Sequence, residues 1–152
     1  MDNEKLKERI LSLVPEAQTE ENKQFLTCFI PAAQFHVVVE NLKNTADTAF
    51  DSLFCLTAVD MGQELVVVYH LSSTTHQHEL VLKIKLTDRE KPVTETVCDL
   101  YRSAEFYERE VYDMFGIRFN NHPDMRRIFL DENWQGYPLR KDYTDEINII
   151  EL

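Results

Sequence analysis

Glycine is scarce in this 152-residue chain, confined to Gly62, Gly116 and Gly136. Positions so far apart cannot form a glycine-rich phosphate-binding loop. Cysteine is limited to Cys28, Cys55 and Cys98, odd in number, widely spaced and without a CxxC pair. A disulfide framework, an iron–sulfur cluster or a structural zinc site would lack its usual paired ligands, so these read as buried, reduced thiols of a cytosolic protein. Long hydrophobic runs are missing too. The longest aliphatic run, Leu65 to Val68, is far short of the ~20 residues a membrane helix needs. The first seventeen residues, MDNEKLKERILSLVPEA, are too charged for a secretory signal. The reading is a soluble chain that reaches a membrane only through a partner. Positive charge is in deficit, with 16 bases against 27 acids, a net charge of -11 and a pI near 4.8. That field opposes unassisted binding to nucleic acid or anionic lipid. No conventional catalytic motif is present.

What remains is a hydrophobic fraction of 43%, which excludes general disorder and fits one domain. A domain of this length buries roughly 68–70% of its unfolded surface. Leu6, Ile10, Leu13 and Val14 recur at helical spacing, closed by Pro15. Residues 16–24 are polar and read as a linker, and Phe25 to Ile30 as a strand. His36 to Val39 has strand propensity, yet Phe35, Val38, Val39 and Leu42 repeat as i, i+3, i+4, i+7 behind Pro31, which predicts a helix. Strands follow at Phe54–Val59, Leu65–Leu71 and Glu79–Leu86, with Asp60 to Gln63 as the first hairpin turn and Ser72 to His76 as the second. In the last strand Leu80, Leu82, Ile84 and Leu86 would face the core, and Val81 and Lys83 water. Residues 87–103 form a connection with a short helical turn after Pro92. Ala104 to Phe115 is helical, with Gly116 as a left-handed cap. The expected fold is α+β: a two-layer, mainly antiparallel sheet with helices on one face and a long irregular C-terminal segment. It divides as an α+β domain over 1–120 and a docking segment over 121–152.

Residues Glu108 to Asp142 stand apart. They hold five of the eight arginines but one of the eight lysines, together with seven acids and six aromatics. Guanidinium suits desolvated ion pairs because its planar fork grips a carboxylate through two bonds. Such a weave points to an internal ion-pair network or a docking surface. Glu105, Arg109 and Asp113 are spaced four apart on the helix, so Arg109 is expected to bridge the two carboxylates. Glu108 and Glu110 sit among aromatics and need partners, for which Arg118, Arg126, Arg127 and Arg140 are the candidates. His122-Pro123-Asp124 reads as a turn that swings Arg126 and Arg127 back to the helix. A segment with this many rings and so little periodicity cannot hold its own core. It is expected to lie first across its own domain and then across another protein.

Three ordered blocks make the reading specific: EREVYDMFGIRF at Glu108–Phe119, HPDMRRI at His122–Ile128 and GYPLRKD at Gly136–Asp142. With LTAVD at Leu56–Asp60 and VVYHL at Val67–Leu71, they resemble the C-type, or thirty-kilodalton-type, subunit of proton-translocating NADH:quinone oxidoreductase (respiratory complex I). The likeness covers about Phe54 to Asp142. Phe106 replaces the family's usual tryptophan and Asn121 its usual glycine; both are mild, since a ring remains and asparagine tolerates left-handed backbone. The resemblance implies a peripheral-arm subunit without a redox centre, packed by its C-terminal segment on the large D-type subunit near iron–sulfur subunits. FMN, iron–sulfur clusters and quinone would belong to partner subunits, on the cytoplasmic side of the membrane. Energy-converting nickel–iron hydrogenases and formate hydrogenlyases contain a related module and form the alternative.

Sharper chemical readings fare worse. Glu108 and Glu110 diverge by roughly 200° around a helix, which does not suit an acid/base pair. Arg126 and Arg127 lack a phosphate loop, and His76 and His78 lack further metal ligands and read as a solvated hairpin end. Trp134 and Tyr137, beside Pro138, read as hydrophobic anchors. A free-standing enzyme would need Asp113, His122 and Arg126 to line one pocket. The expected interface or ion-pair residues are therefore Glu108, Arg109, Glu110, Asp113, Arg118, Arg126, Arg127, Trp134, Tyr137, Arg140 and Asp142.

Overall fold

The computed structural model describes residues 2–20 and 24–147. In chain order its elements are α1 (Asn3–Leu13), β1 (Gln18–Glu20), β2 (Leu26–Phe29), α2 (Ala32–Asn44) and β3 (Ser52–Asp60). Next come β4 (Leu65–Ser73), β5 (His78–Leu86), β6 (Val93–Glu95), α3 (Ala104–Phe115) and β7 (Arg118–Asn120). Asp2 caps α1, its carboxylate accepting the Lys5 amide at 2.9 Å, which satisfies one of the orphan donors of a helix start. Periodicity prevails over propensity in α2: Phe35, Val38, Val39 and Leu42 are the buried residues of this helix, which starts behind Pro31. Each such burial contributes about 1.5–3 kcal/mol, more than a β-branched pair loses in helix propensity.

Five strands form one sheet in the order β1-β2-β5-β4-β3. β3–β4 and β4–β5 are antiparallel hairpins, and β2 runs parallel to β5. The mainly antiparallel α+β architecture thus stands as expected. Gly62, at φ 90°, makes the tight β3–β4 turn. Leu65, Val67, Tyr69 and Leu71 of β4 and Leu80, Leu82 and Ile84 of β5 join one core. That core also contains Leu6 and Ile10 of α1, Phe35 and Leu42 of α2, and Val111 and Phe115 of α3.

Four expectations change. Residues 16–24 are not simply a linker, because Gln18–Glu20 pair antiparallel with β2; residues 21–23 lie outside the described residues. The connection 87–103 contains β6, which pairs parallel with β7, so the segment after Ile117 begins as a strand. Three-residue strands are too short to show a period. Val81 is buried, not wet: with Val66 and Val68 it forms a second apolar cluster on which Phe25 and Phe29 pack. Finally, of the three free thiols only Cys28 is fully buried, while Cys55 and Cys98 are half-buried. The end of the 121–152 docking segment, residues 148–152, lies outside the described residues.

Candidate functional site: a C-terminal strap and its clasps

Helix α3 ends at Gly116, whose φ of 73° makes the left-handed cap and whose amide returns to Tyr112 O. Past β7 the chain turns at residues 122–124 and continues without helix or strand to residue 147. We refer to residues 121–147 as the strap. The turn brings Arg126 and Arg127 back to α3 as expected, but by other contacts. Arg109 does not bridge Glu105 and Asp113. Its Nε donates to Arg126 O at 3.2 Å and its Nη2 to Arg127 O at 3.0 Å. The side chain thus spans the gap to the strap and binds its backbone carbonyls.

Asp113 is 0% exposed and forms the first clasp. One oxygen accepts Arg127 Nη1 at 2.8 Å. The other accepts the consecutive amides of Ile128 (3.2 Å), Phe129 (2.7 Å) and Leu130 (3.0 Å). Desolvation acts to raise its pKa, but Arg127 and the three amides together outweigh it and hold the carboxyl below the usual range. Arg127 also donates to Trp134 O at 3.0 Å and Gly136 O at 2.9 Å, so one guanidinium stitches three turns of an irregular segment. Tyr137 lies between two cations, with Arg127 5.1 Å and Arg140 5.2 Å from its ring centroid. The ring packs against Gly116, where an added Cβ would stand 2.5 Å from Tyr137 Cε2.

A second clasp holds the strap further on. Arg140 donates to Phe115 O at 2.5 Å and Arg89 O at 2.9 Å. Arg89 grips Asp60 bidentately at 2.6 and 2.8 Å, and Asp60 also accepts the Lys141 amide at 2.9 Å. The Arg89 guanidinium, helped by these amides, holds the Asp60 carboxyl well below the usual carboxylate range. Asp142 is 3.8 Å from Arg89. Sequence reasoning misses Asp60 and Arg89 as site residues, although Asp60 ends the LTAVD block and Arg89 is a rare arginine in a lysine-rich half.

Glu108 is also 0% exposed, and its partners are not the expected arginines. It accepts Thr96 Oγ1 at 2.5 Å, the Val97 amide at 2.9 Å and Cys98 Sγ at 3.2 Å. Burial raises its pKa despite these donors. Partial desolvation pushes the half-buried Cys98 thiol beside it up to about 12. His122, with its side chain fully enclosed, lies 3.9 Å from Glu108. Cys98, Glu108 and His122 group closely enough to raise the question of a metal ion. The donor pattern answers against it: His122 Nδ1 accepts the Asp124 amide at 2.9 Å, so the ring proton sits on Nε2 and is donated to Glu105 O at 2.9 Å. Neither nitrogen then offers a lone pair.

The remaining candidates stay at the surface. Glu110 is exposed, as is Arg118, whose guanidinium lies 5.5 Å from the Tyr112 ring centroid. Arg126 is paired with Asp124 at 2.9 Å, its side chain 62% exposed. Trp134 is half-buried, while Phe129 is 66% and Leu139 56% exposed. Asp113 is engaged by Arg127, whereas His122 and Arg126 both contact Asp124, the ring through its amide and the guanidinium through its carboxylate. His76 and His78 are no bare hairpin end: their rings stack, and they bond to the carbonyls of Ala46 and Thr48. None of the described helices is long and apolar enough to cross a membrane.

A family model described as "Respiratory-chain NADH dehydrogenase, 30 Kd subunit" matches residues 28–147. The chain is 48% identical over 124 residues to the C/D subunit of NADH-quinone oxidoreductase from Phocaeicola vulgatus, covering 81% of this chain and 24% of the relative. It is 47% identical over 96 residues to the C subunit of NADH-quinone oxidoreductase from Chloroherpeton thalassium, covering 62% and 40%. The C subunit of the Neisseria meningitidis enzyme is 38% identical over 115 residues, covering 70% and 58%. The chain thus spans from about a quarter to somewhat over half of these relatives. Among solved structures, a chain of the membrane-bound sulfane sulfur reductase, an archaeal respiratory membrane complex, superposes with a TM-score of 0.78. It is 29% identical, and the match covers 95% of this chain and 86% of that one.

Proposed function

Since this chain belongs to the family of the respiratory-chain NADH dehydrogenase 30 Kd subunit, we propose that it is a non-catalytic scaffold that positions a D-type large subunit in the peripheral arm of NADH:quinone oxidoreductase. The observation that carries this reading is the strap: its backbone is clasped to α3 by Asp113 while Phe129 and Leu139 are left exposed. An irregular segment held this firmly with its apolar side chains outward is built to be covered. A relative that carries C and D in one name, the C/D subunit of Phocaeicola vulgatus, supports D as the partner. In this proposal FMN, iron–sulfur clusters and quinone belong to other subunits. The chain attaches peripherally on the cytoplasmic side, through its partners.

The test is co-purification from native membranes. Arg127 is internal, so its replacement would disturb the strap itself. Arg126→Glu combined with Phe129→Ala alters only exposed groups and is expected to cut recovery of the large subunit severalfold while the domain stays folded. Undiminished recovery with the folded variant would refute the surface assignment. The likeness to the sulfane sulfur reductase chain favours a second reading, the equivalent scaffold of another membrane-bound respiratory complex. Sequencing the co-purified large subunit separates the two. Paired CxxC motifs near both of its ends indicate a nickel–iron site, and their absence a quinone site.

A further inference from the structure

His122 occupies the first turn of the strap and uses both ring nitrogens. Nδ1 accepts the Asp124 amide from within the turn, and Nε2 donates to Glu105 O of α3. Its amide bonds to Phe119 O, and its neighbour Asn121 reaches Glu95 of β6, so the ring is fixed at the junction of β6, β7 and α3. Across from it stands the buried carboxyl of Glu108, 3.9 Å away. Titratable or charged groups near the ring include Glu105 of α3, whose charge also acts on Cys98, Cys98 itself, bonded to Glu108 from the 96–98 turn, and Asp124 and Arg126 within its own segment. Tyr69 of β4, whose buried hydroxyl has no hydrogen-bond partner among the described residues, feels the charge of Glu108.

We propose that His122 and Glu108 form a proton-operated latch that couples the domain's interior to the strap's first turn. A proton arriving on Nδ1 turns an acceptor into a donor, so the Asp124 amide and the ring then face each other donor to donor. The imidazolium gains an opposite charge in Glu108 as it loses that amide. Protonation therefore gives up a bond that holds the turn, while the ring's existing hold on α3 through Glu105 O gains the attraction of Glu108. The turn leads directly into Arg126 and Arg127, whose carbonyls bind Arg109, and into the three amides on Asp113. Opening at Asp124 consequently loosens the strap where it leaves the domain. Histidine is the side chain whose ordinary charge change falls between about pH 5 and 8, and that is the range in which the latch is tested. It lies within the chain and stands or falls independently of which partner covers the strap.

The experiment is amide hydrogen exchange of the full chain, read as protection factors between about pH 5 and 8, together with 15N shifts of the His122 ring. Asp124 protection is expected to fall roughly tenfold on acidification, the ratio that loss of one backbone hydrogen bond corresponds to. The fall should share its midpoint with Nδ1 protonation. His122→Asn keeps a side-chain oxygen for the amide two residues on, as in an Asx turn, but cannot titrate. Its protection should stay flat. Glu108→Gln removes the charge that favours the imidazolium and should move the midpoint to lower pH. Constant protection in the wild type, or an undiminished fall in His122→Asn, overturns the latch. If His122→Asn does not fold, the wild type still decides, because separate midpoints for ring and amide overturn it as well.

Discussion

Asp113 shows how much one side chain can organise when it is wholly removed from water. Its two oxygens serve a guanidinium and three backbone amides, all presented by a segment with no ladder of its own. Removing that carboxylate takes the counter-charge from Arg127, which keeps only carbonyl acceptors, and leaves three part-buried amides without their acceptor. Asp113→Ala is expected to cost about 3–5 kcal/mol, the range for breaking a buried pair from one side. Urea unfolding of wild type and variant checks it, and a loss below about 1 kcal/mol would mean the clasp is dispensable. That Asp113, Arg127 and Arg140 belong to a dense weave of arginine and acid could be read from the C-terminal third of the sequence. Their partners could not. A rule for neighbours four apart on a helix assigns Arg109 to Asp113, but the strap brings Arg127 to the carboxylate and its carbonyls to Arg109. Glu108 escaped for a related reason, since Thr96, Val97 and Cys98 are polar partners that no charge pattern advertises.

At the scale of elements, α3 is the piece on which everything else in the site is measured. Gly116 ends it for two separate reasons, a left-handed backbone and the Tyr137 ring against its Cα. Gly116→Ala should lose about 1–2 kcal/mol from the left-handed conformation alone, and further stability from displacing Tyr137 between its two arginines. Thermal denaturation checks the stability. Tyr137 fluorescence or a ring NMR signal should shift in the same variant, and an unmoved ring would show that the contact carries no load. The glycine cap, the helical period of α2 and the long strands β3 to β5 could all be read along the chain. β1, β6 and β7 could not: at three residues each, β1 exists because β2 offers an edge, and β6 and β7 because folding brings them beside each other. Val81 likewise became buried through a second apolar cluster on the sheet's other face, which strand alternation alone does not anticipate.

For the molecule as a whole, the buried carboxylates pull stability in opposite directions with pH. Asp113 and Asp60 have folded pKa values below the ordinary range. Their contribution is present above the unfolded value of about 3.9 and is lost as pH falls through the folded values. Glu108 is raised by burial, so its contribution is full below an unfolded value of about 4.3 and declines as pH rises through the folded one. Denaturant midpoints should therefore drop in acid for the wild type. They should decline less with rising pH in Glu108→Gln than in the wild type. Equal slopes on the alkaline side would remove Glu108 from the balance.

The chain's own order of residues settled that this is an α+β domain with an acidic, lysine-bearing exterior and a C-terminal third devoted to arginine, rings and carboxylates. The family was legible there as well, in three ordered blocks, and the family model matches residues 28–147. Composition and periodicity are local quantities, readable without coordinates. Folding alone decided which arginine meets which acid, because Asp60 and Lys141, or Asp113 and Leu130, become neighbours only when the strap crosses the domain. It also decided which groups turn inward as clasps and which, like Phe129, Leu139 and Arg126, are left facing outward. The physical reason is that a charge's partner is chosen by desolvated distance, and distance across a loop is invisible in one dimension.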